Sequence, residues 1–573
     1  MYIKVSSKSK VKPPKKVDME IIKELGFSKL RPLQKDALNW LLTIIEDYDY
    51  ILIQAPTGIG KSLINMAAMA QLIRDYDVSG YLLTSNIGLM KQYLRDFDIT
   101  EIKGKDNYVC NLEPQYTAAY GLCQRHPNGR RMCSVECEYY NAYKKAVDSN
   151  IVLSNPAYMM RVVQFSSTLG TRFVCAYDEA HNLESIISNI YTTKITPKNI
   201  EFIYGTQRPL PTNTSFEFWK DYINELYDLL EERIHDIEDK MKATDNEAEI
   251  TLLSHDWYKT NRMLEKIDIV FSLLKRPEYA IIQLDKDRHG AVTGVIFTPV
   301  FVGGIARRLI DKVALKSIFS SATILSSDVF VNSLGLDPDK TAFIDVDEIP
   351  FKAKNRKIYI KKAGNMGYKS KDKTLPKLIS IIQDIIFENR GVKGVIIPNS
   401  FWLTNAIYDG IKDTGIPIFY HNENRDDRND AIEGYMRTKG EAILISTYIK
   451  EGFDFKDDLC RYLIIPKIPY PSMDDKIKKR MLLSQAWFLE NNKDYCNPKI
   501  QSDGLCRNFS CSQPCQRWYI WKTALDVVQM TGRAVRHEED YAKIYILDSA
   551  FGRFNYMASS MLPSWWKEAL IYE

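Results

Sequence analysis

Residues 47–66 read DYDYILIQAPTGIGKSLINM. The apolar run Tyr50 to Ile53 predicts a buried strand of a parallel sheet. It stops at Ala55-Pro56-Thr57-Gly58-Ile59-Gly60-Lys61-Ser62, and Leu63, Met66, Ala67, Met69 and Ala70 then open a helical pattern. Strand, glycine-containing loop and helix in that order suit a phosphate-binding loop. Loop N–H groups and the helix N-terminus face phosphate oxygens. Thr57, Gly58 and Gly60 belong to that cradle, and the glycines let the backbone come close. Lys61 is expected to reach the β- and γ-phosphates of ATP, and the Ser62 hydroxyl to ligate Mg²⁺. Ala55 stands where a first glycine is usual. An ordinary strand–helix turn is the bland alternative, and the flanking strand and helix argue against it.

Outward from that stretch the composition is that of a globular protein. Apolar residues make up 45% of the 573 and charged residues 26%, which allows several domains with cores of their own. A net charge of +4 is too mild to argue for nucleic acid alone, so any basic track must be local. No apolar run reaches the length of a membrane span, and no signal-peptide core opens the chain. Residues 1–17 are lysine-rich and read as a solvated, flexible tail.

Eight of the ten cysteines fall in two groups. One is Cys110, Cys123, Cys133 and Cys137; the other is Cys496, Cys506, Cys511 and Cys515. Clustered thiols in a large nucleotide-binding chain favour metal ligation in a reducing, cytoplasmic or nuclear compartment over disulfides. Cys175 and Cys460 read as inert core residues.

Two further constellations carry chemistry. Asp178-Glu179-Ala180-His181 follows a strand pattern. Asp178 there suits Mg²⁺, and Glu179 suits a base for the attacking water. Gln529-Met530-Thr531-Gly532-Arg533-Ala534-Val535-Arg536 is expected on one helix, with Gln529, Gly532, Arg533 and Arg536 sharing a face. Two guanidinium groups on such a face suit a γ-phosphate held by a neighbouring domain. Gln34, upstream of the phosphate loop, can read an adenine edge through its amide.

With these motifs in order, the chain resembles the XPD/DinG-like iron–sulfur helicases of superfamily 2. The resemblance rests on Arg31 and Gln34, Ala55 to Ser62, Thr84 with Leu89 and Gln92, and Asp178 to His181. It continues through Ser321-Ala322-Thr323, Gly394 to Ser400, Glu451 to Phe455 and Gln529 to Arg536. It implies an α/β fold of two RecA-like parallel-sheet motor domains, with an iron–sulfur insertion and a helical arch insertion in the first. The expected division is a tail at 1–17, then the first motor domain at 18–104, 146–190 and 291–326. The cysteine module falls at 105–145, the arch at 191–290, and the second motor domain at 327–573 with a cysteine-rich insertion at 490–518.

The resemblance further implies an ATP-dependent 5′ to 3′ DNA helicase acting on single-stranded and forked DNA, without a membrane, as a monomer; an ATP-driven translocase that remodels nucleoprotein without unwinding duplex, and a non-catalytic nucleic-acid-binding scaffold, are the alternatives. Gly452 and Asp454 join the nucleotide site by the same resemblance. It gives Cys110, Cys123, Cys133 and Cys137 a [4Fe–4S] cluster; four cysteines also make a zinc site. For Cys496, Cys506, Cys511 and Cys515 zinc is the first reading, with a second cluster or unligated thiols as alternatives. Lys103, Lys105, Arg125, Arg130 and Arg131, with Tyr108, Tyr116 and Tyr120, are expected to line a strand path.

Overall fold

Short apolar runs, buried along their length, form the middle of two parallel sheets. The computed structural model describes residues 3–6, 15–125, 137–165, 169–421, 425–447, 455–491 and 516–572. In chain order the first strands are β1 (Ile3–Ser6), β2 (Tyr50–Gln54), β3 (Gly80–Thr84), β4 (Thr100–Glu101), β5 (Ile151–Ser154) and β6 (Arg172–Asp178). Then come β7 (Thr193–Ile195), β8 (Ala280–Lys286), β9 (Val292–Pro299), β10 (Ala314–Ser321) and β11 (Thr341–Val346). The first sheet runs β1-β11-β2-β10-β6-β3-β5-β4. Every pairing in it is parallel except β1 with β11. β2, β10 and β6 lie side by side, with Ser317 opposite both Tyr50 and Cys175. The phosphate loop and Asp178-Glu179 therefore leave the same edge of one sheet, where open α/β sheets hold ligands.

The second sheet contains β12 (Ile358–Gly364), β13 (Gly394–Ile396), β14 (Ile418–Tyr420), β15 (Ile443–Ile445), β16 (Tyr462–Ile465), β17 (Lys543–Asp548) and β18 (Leu570–Tyr572). Its order is β14-β15-β13-β16-β17-β12-β18, parallel throughout. One apolar core runs from the first sheet into the second, through Phe319, Ile324 and Leu334 to Trp521, Leu525 and Ile544.

Three expectations need correction. The tail is not wholly solvated chain: Ile3–Ser6 adds an antiparallel edge strand, Ile3 facing Val346. The first motor domain does not end at 326, because β11 pairs in parallel with β2, Thr341 facing Tyr50. The arch is not helical alone and does not end at 290. Strands β7, β9 and β8 form an antiparallel sheet of their own, and β9 reaches Pro299. Two long helices, Phe216–Ala243 and Glu247–Leu274, pack on that sheet. Trp219, Ile223, Leu226 and Leu230 are spaced as one helical stripe and are fully buried. The Trp219 ring meets Phe297 of β9 edge-on at 4.9 Å.

Candidate active site between the two sheets

The phosphate loop is shaped by two left-handed glycines. Gly58 has φ 84° and Gly60 φ 92°. A side chain would be strained at either position and would also clash. A Cβ on Gly60 would sit 2.4 Å from Gln34 Nε2, and one on Gly58 2.2 Å from the Phe351 ring. Lys61 bends over its own loop and donates from Nζ to the Ala55 carbonyl at 3.3 Å. Gln34 is buried, and its Oε1 accepts the Arg31 N–H at 2.8 Å. Arg31 Nη1 donates to the Gly58 carbonyl at 2.5 Å. Gln34 thus spans from its own helix cap to the loop, with its carbonyl oxygen already engaged.

β6 delivers the acidic pair. Asp178 is buried and accepts the Tyr93 hydroxyl on Oδ2 at 2.8 Å and the Glu179 N–H on Oδ1 at 3.0 Å. Burial lifts its pKa to about 6; the Glu179 charge adds to this and Lys61 opposes it. Glu179 adopts φ 54°, a left-handed turn for a residue with a Cβ. Such strain costs about 1–3 kcal/mol and gathers at functional sites. Burial pushes the Glu179 carboxyl up. Lys61, His181, Arg533 and Arg536 together outweigh it and hold the group below the usual carboxylate range.

The opposite wall is helix Arg517–Thr531 from the second half of the chain. Arg517 bonds Asp328 through Nε at 2.7 Å and Nη2 at 3.0 Å. Trp521 Nε1 donates to the Ile324 carbonyl at 2.8 Å. Gln529 Nε2 reaches His181 Nε2, and donates to Thr323 Oγ1 at 3.1 Å. His181 Nδ1 lies 2.8 Å from Ser321 Oγ and 3.3 Å from Glu179 Oε2. One ring nitrogen faces an amide donor. The imidazole therefore accepts there and carries its proton on Nδ1.

The expected continuous helix through Arg536 does not form. The helix ends at Thr531, whose Oγ1 accepts from Trp566 Nε1 at 2.8 Å, and Gly532 caps it. A Cβ on Gly532 would lie 3.2 Å from the Val528 carbonyl, a tight approach. Arg533 and Arg536 reach toward Glu179 from the turn that follows. Sequence reasoning missed the His181, Ser321, Thr323 and Gln529 network and the Tyr93 bond. The register that places Ser320 beside Asp178 emerges only in the fold.

Burial dominates His181 and lowers its pKa to about 4 from 6.5. Between those values the unfolded chain binds the extra proton. Stability should therefore drain as pH falls from 6.5 toward 4, by up to about 3 kcal/mol. His181→Asn should flatten that part of the profile in thermal denaturation. An unchanged slope would remove His181 as its source.

Gly452, Asp454, Cys133, Cys496, Cys506, Cys511 and Cys515 lie outside the described residues, as do Arg130 and Arg131. Cys110 is buried, while Cys123 and Cys137 are partly exposed; all three are free thiols. Cys123 sits in the short helix Leu122–Arg125, and Cys137 caps helix Glu138–Asp148. Arg125 does not line an open path. It is fully buried, donates to the Tyr120 carbonyl at 3.0 Å, and bonds Glu113 and His255. Tyr120 packs on Tyr258 and His255, so these residues join the cysteine module to the arch helix Glu247–Leu274.

A helicase C-terminal domain profile matches residues 386–569, and one for the res subunit of type III restriction enzymes matches 27–202. A solved XPD helicase superimposes with a TM-score of 0.60 at 14% identity, covering 95% of this chain and 100% of that one. A probable ATP-dependent helicase of Methanocaldococcus jannaschii is 22% identical over 93% of each chain. The chain has the fold of the solved XPD helicases. The XPD-like fold extends to Xpd4 of S. tokodaii, with a TM-score of 0.55 at 13% identity over 95% of this chain and 100% of that one. ATP-dependent DNA helicase CHL1 of Vanderwaltozyma polyspora is 27% identical over 29% of this chain. The chain spans only 18% of that relative's length and 15% of the Saccharomyces cerevisiae CHL1. No helix among the described residues is long and apolar enough to cross a membrane.

Proposed function

We propose that this chain is an ATP-dependent DNA helicase that moves 5′ to 3′ on single-stranded DNA and opens forked duplex as a monomer. One observation carries the reading. Glu179 lies within the fields of Lys61 from the phosphate loop and of Arg533 and Arg536 from the second domain. That is the charge arrangement for splitting a phosphoanhydride between two domains.

In this reading Lys61 neutralises the β- and γ-phosphates of ATP. Ser62 and Asp178 would hold Mg²⁺, which would offset charge on the leaving phosphates. Thr57, Gly58 and Gly60 form the cradle, with Gln34 bracing it; Gly452 and Asp454 belong to the same site. Glu179 takes a proton from the attacking water. His181, neutral, turns Nδ1–H toward Glu179 and Ser321, so Gln529 senses the state of the acidic pair. Domain closure on ATP and opening after hydrolysis would then move a bound strand. Strand displacement on forked DNA with either a 5′ or a 3′ tail tests both activity and direction.

Arg536→Ala should lower kcat at least about tenfold with little change in KM, because an arginine at developing charge acts on the transition state. A pure rise in KM would make Arg536 a ground-state contact.

Cys110, Cys123 and Cys137 suit metal ligation in their chemistry: they are free cysteines, with no disulfide to occupy their sulfurs. With Cys133 they would hold a [4Fe–4S] cluster, whose part is to pin the module together. Anaerobic protein should carry roughly four irons, and Cys110→Ser should lose them while ATP hydrolysis persists. Zinc without iron in the wild type would overturn the assignment. Cys496, Cys506, Cys511 and Cys515 are proposed as a zinc site.

A further inference from the structure

Tyr93 is fully buried on helix Ile87–Asp96, which follows the end of β3. Its ring packs on Phe97, with centroids 6.0 Å apart, and Phe97 packs on Phe27 at 6.2 Å. That packing needs only a ring. A hydroxyl on a buried ring needs polar partners as well, and here they come from two other elements. The Tyr93 hydroxyl donates its one proton to Asp178 Oδ2 at 2.8 Å. Its oxygen accepts from Asn65 Nδ2 at 3.4 Å, and the Ser62 hydroxyl faces it as a second donor. Ser62 and Asn65 stand three residues apart on helix Lys61–Tyr76, so they share a face of it.

The direction of each proton follows. A hydroxyl that ligates a cation turns a lone pair to it and its own proton away. For Ser62 the acceptor of that proton is Tyr93 Oη. The Tyr93 proton goes on to Asp178 Oδ2, and the Glu179 N–H takes Oδ1 at 3.0 Å. Ser62 and Asp178 are thus left with lone pairs alone to offer. Asn65 Oδ1, on the amide that bonds Tyr93, is buried and has no hydrogen-bond partner. An all-oxygen donor set with an open buried acceptor beside it suits Mg²⁺, which binds oxygen and keeps several waters whose protons need acceptors.

We propose that Tyr93 is a positioning residue for the metal: its hydroxyl orients Ser62 and Asp178 together and so sets the Mg²⁺ affinity of the nucleotide site. This rests on the reading of Ser62 and Asp178 as the Mg²⁺ residues given above. Tyr93 belongs neither to the phosphate loop nor to the strand that carries Asp178. It acts from a third element, by passing one proton and accepting another.

The test uses the full chain with ADP, Mn²⁺ as the probe metal, and the electron paramagnetic resonance signal of free Mn²⁺ as the readout. Tyr93→Phe keeps the ring and its packing. It should weaken Mn²⁺ binding at least about tenfold, the usual cost of losing a group that orients a metal ligand. ADP binding without metal should match the wild type, because the phosphate cradle is untouched. The Mg²⁺ concentration for half-maximal ATP hydrolysis should rise by the same factor as the Mn²⁺ dissociation constant. A merely structural role would lower the maximal rate and leave that concentration where it is. Asp178→Asn should weaken Mn²⁺ binding in the same assay. Weakened binding in Asp178→Asn with wild-type binding in Tyr93→Phe would overturn the role of Tyr93 and leave the metal reading standing. Wild-type Mn²⁺ binding in Asp178→Asn would sink both.

Discussion

Glu179→Gln should bind ATP normally and hydrolyse it at least about 100-fold more slowly in the presence of single-stranded DNA. A positioned general base contributes roughly 10²–10⁴ in rate. Glutamine keeps the size of the side chain and an oxygen toward His181, 3.3 Å away in the native pair. The fold and the phosphate cradle therefore stay intact. What is lost is the one carboxylate that Lys61, Arg533 and Arg536 hold ionised. Asp178 does not substitute, because its part in this reading is to hold Mg²⁺, and its oxygens already face the Tyr93 hydroxyl and the Glu179 N–H. Lys61→Ala should lose turnover as well, but through nucleotide binding. Phosphate release measured beside nucleotide binding separates the two. Near-normal turnover in Glu179→Gln would remove Glu179 from the role of base.

What could be read beforehand follows the physics of each element. The runs at Tyr50–Gln54, Gly80–Thr84 and Arg172–Asp178 are buried on both faces, so continuous apolarity marks them. The phosphate loop was legible because left-handed glycines at 58 and 60 leave a mark in residue type. β11 was not. Thr341 to Val346 alternates buried and half-buried positions, a weaker pattern, and its place in the first sheet depends on a partner almost 300 residues away. The end of the helix at Thr531 was missed for a related reason. Glycine at 532 reads equally as a face for close approach or as a cap, and Trp566, which holds Thr531, comes from the far end of the chain. Arg125 shows the same limit: a basic residue among tyrosines looks like a nucleic-acid contact until the arch helix is seen to cover it.

Arg125→Ala should separate strand opening from ATP hydrolysis. The guanidinium stands 5.3 and 5.2 Å from the Tyr116 and Tyr120 ring centroids and bonds Glu113 and His255. His255 accepts from Arg125 on Nε2 and gives its Nδ1 proton to Tyr120 Oη at 2.5 Å. Every one of these partners belongs to the cysteine module or to the arch helix, so the loss falls on their junction. Arg125 is fully buried but Glu113 is partly exposed, so what is lost is the hydrogen bonds of the guanidinium, about 1–3 kcal/mol. A loss of about 1.4 kcal/mol makes a tenfold change, so unwinding should fall about tenfold. ATP hydrolysis should survive, since neither the phosphate loop nor Glu179 touches this junction. Arg125→Lys should not restore unwinding, because an ammonium cannot bond Glu113, Tyr120 and His255 in one plane. The His255 imidazole, held down by burial and by the Arg125 charge, should titrate at higher pH in Arg125→Ala. Hydrogen exchange should rise along Glu247–Leu274 and not in the sheets. Wild-type unwinding by Arg125→Ala would show that module and arch need not be joined for the strand to be opened.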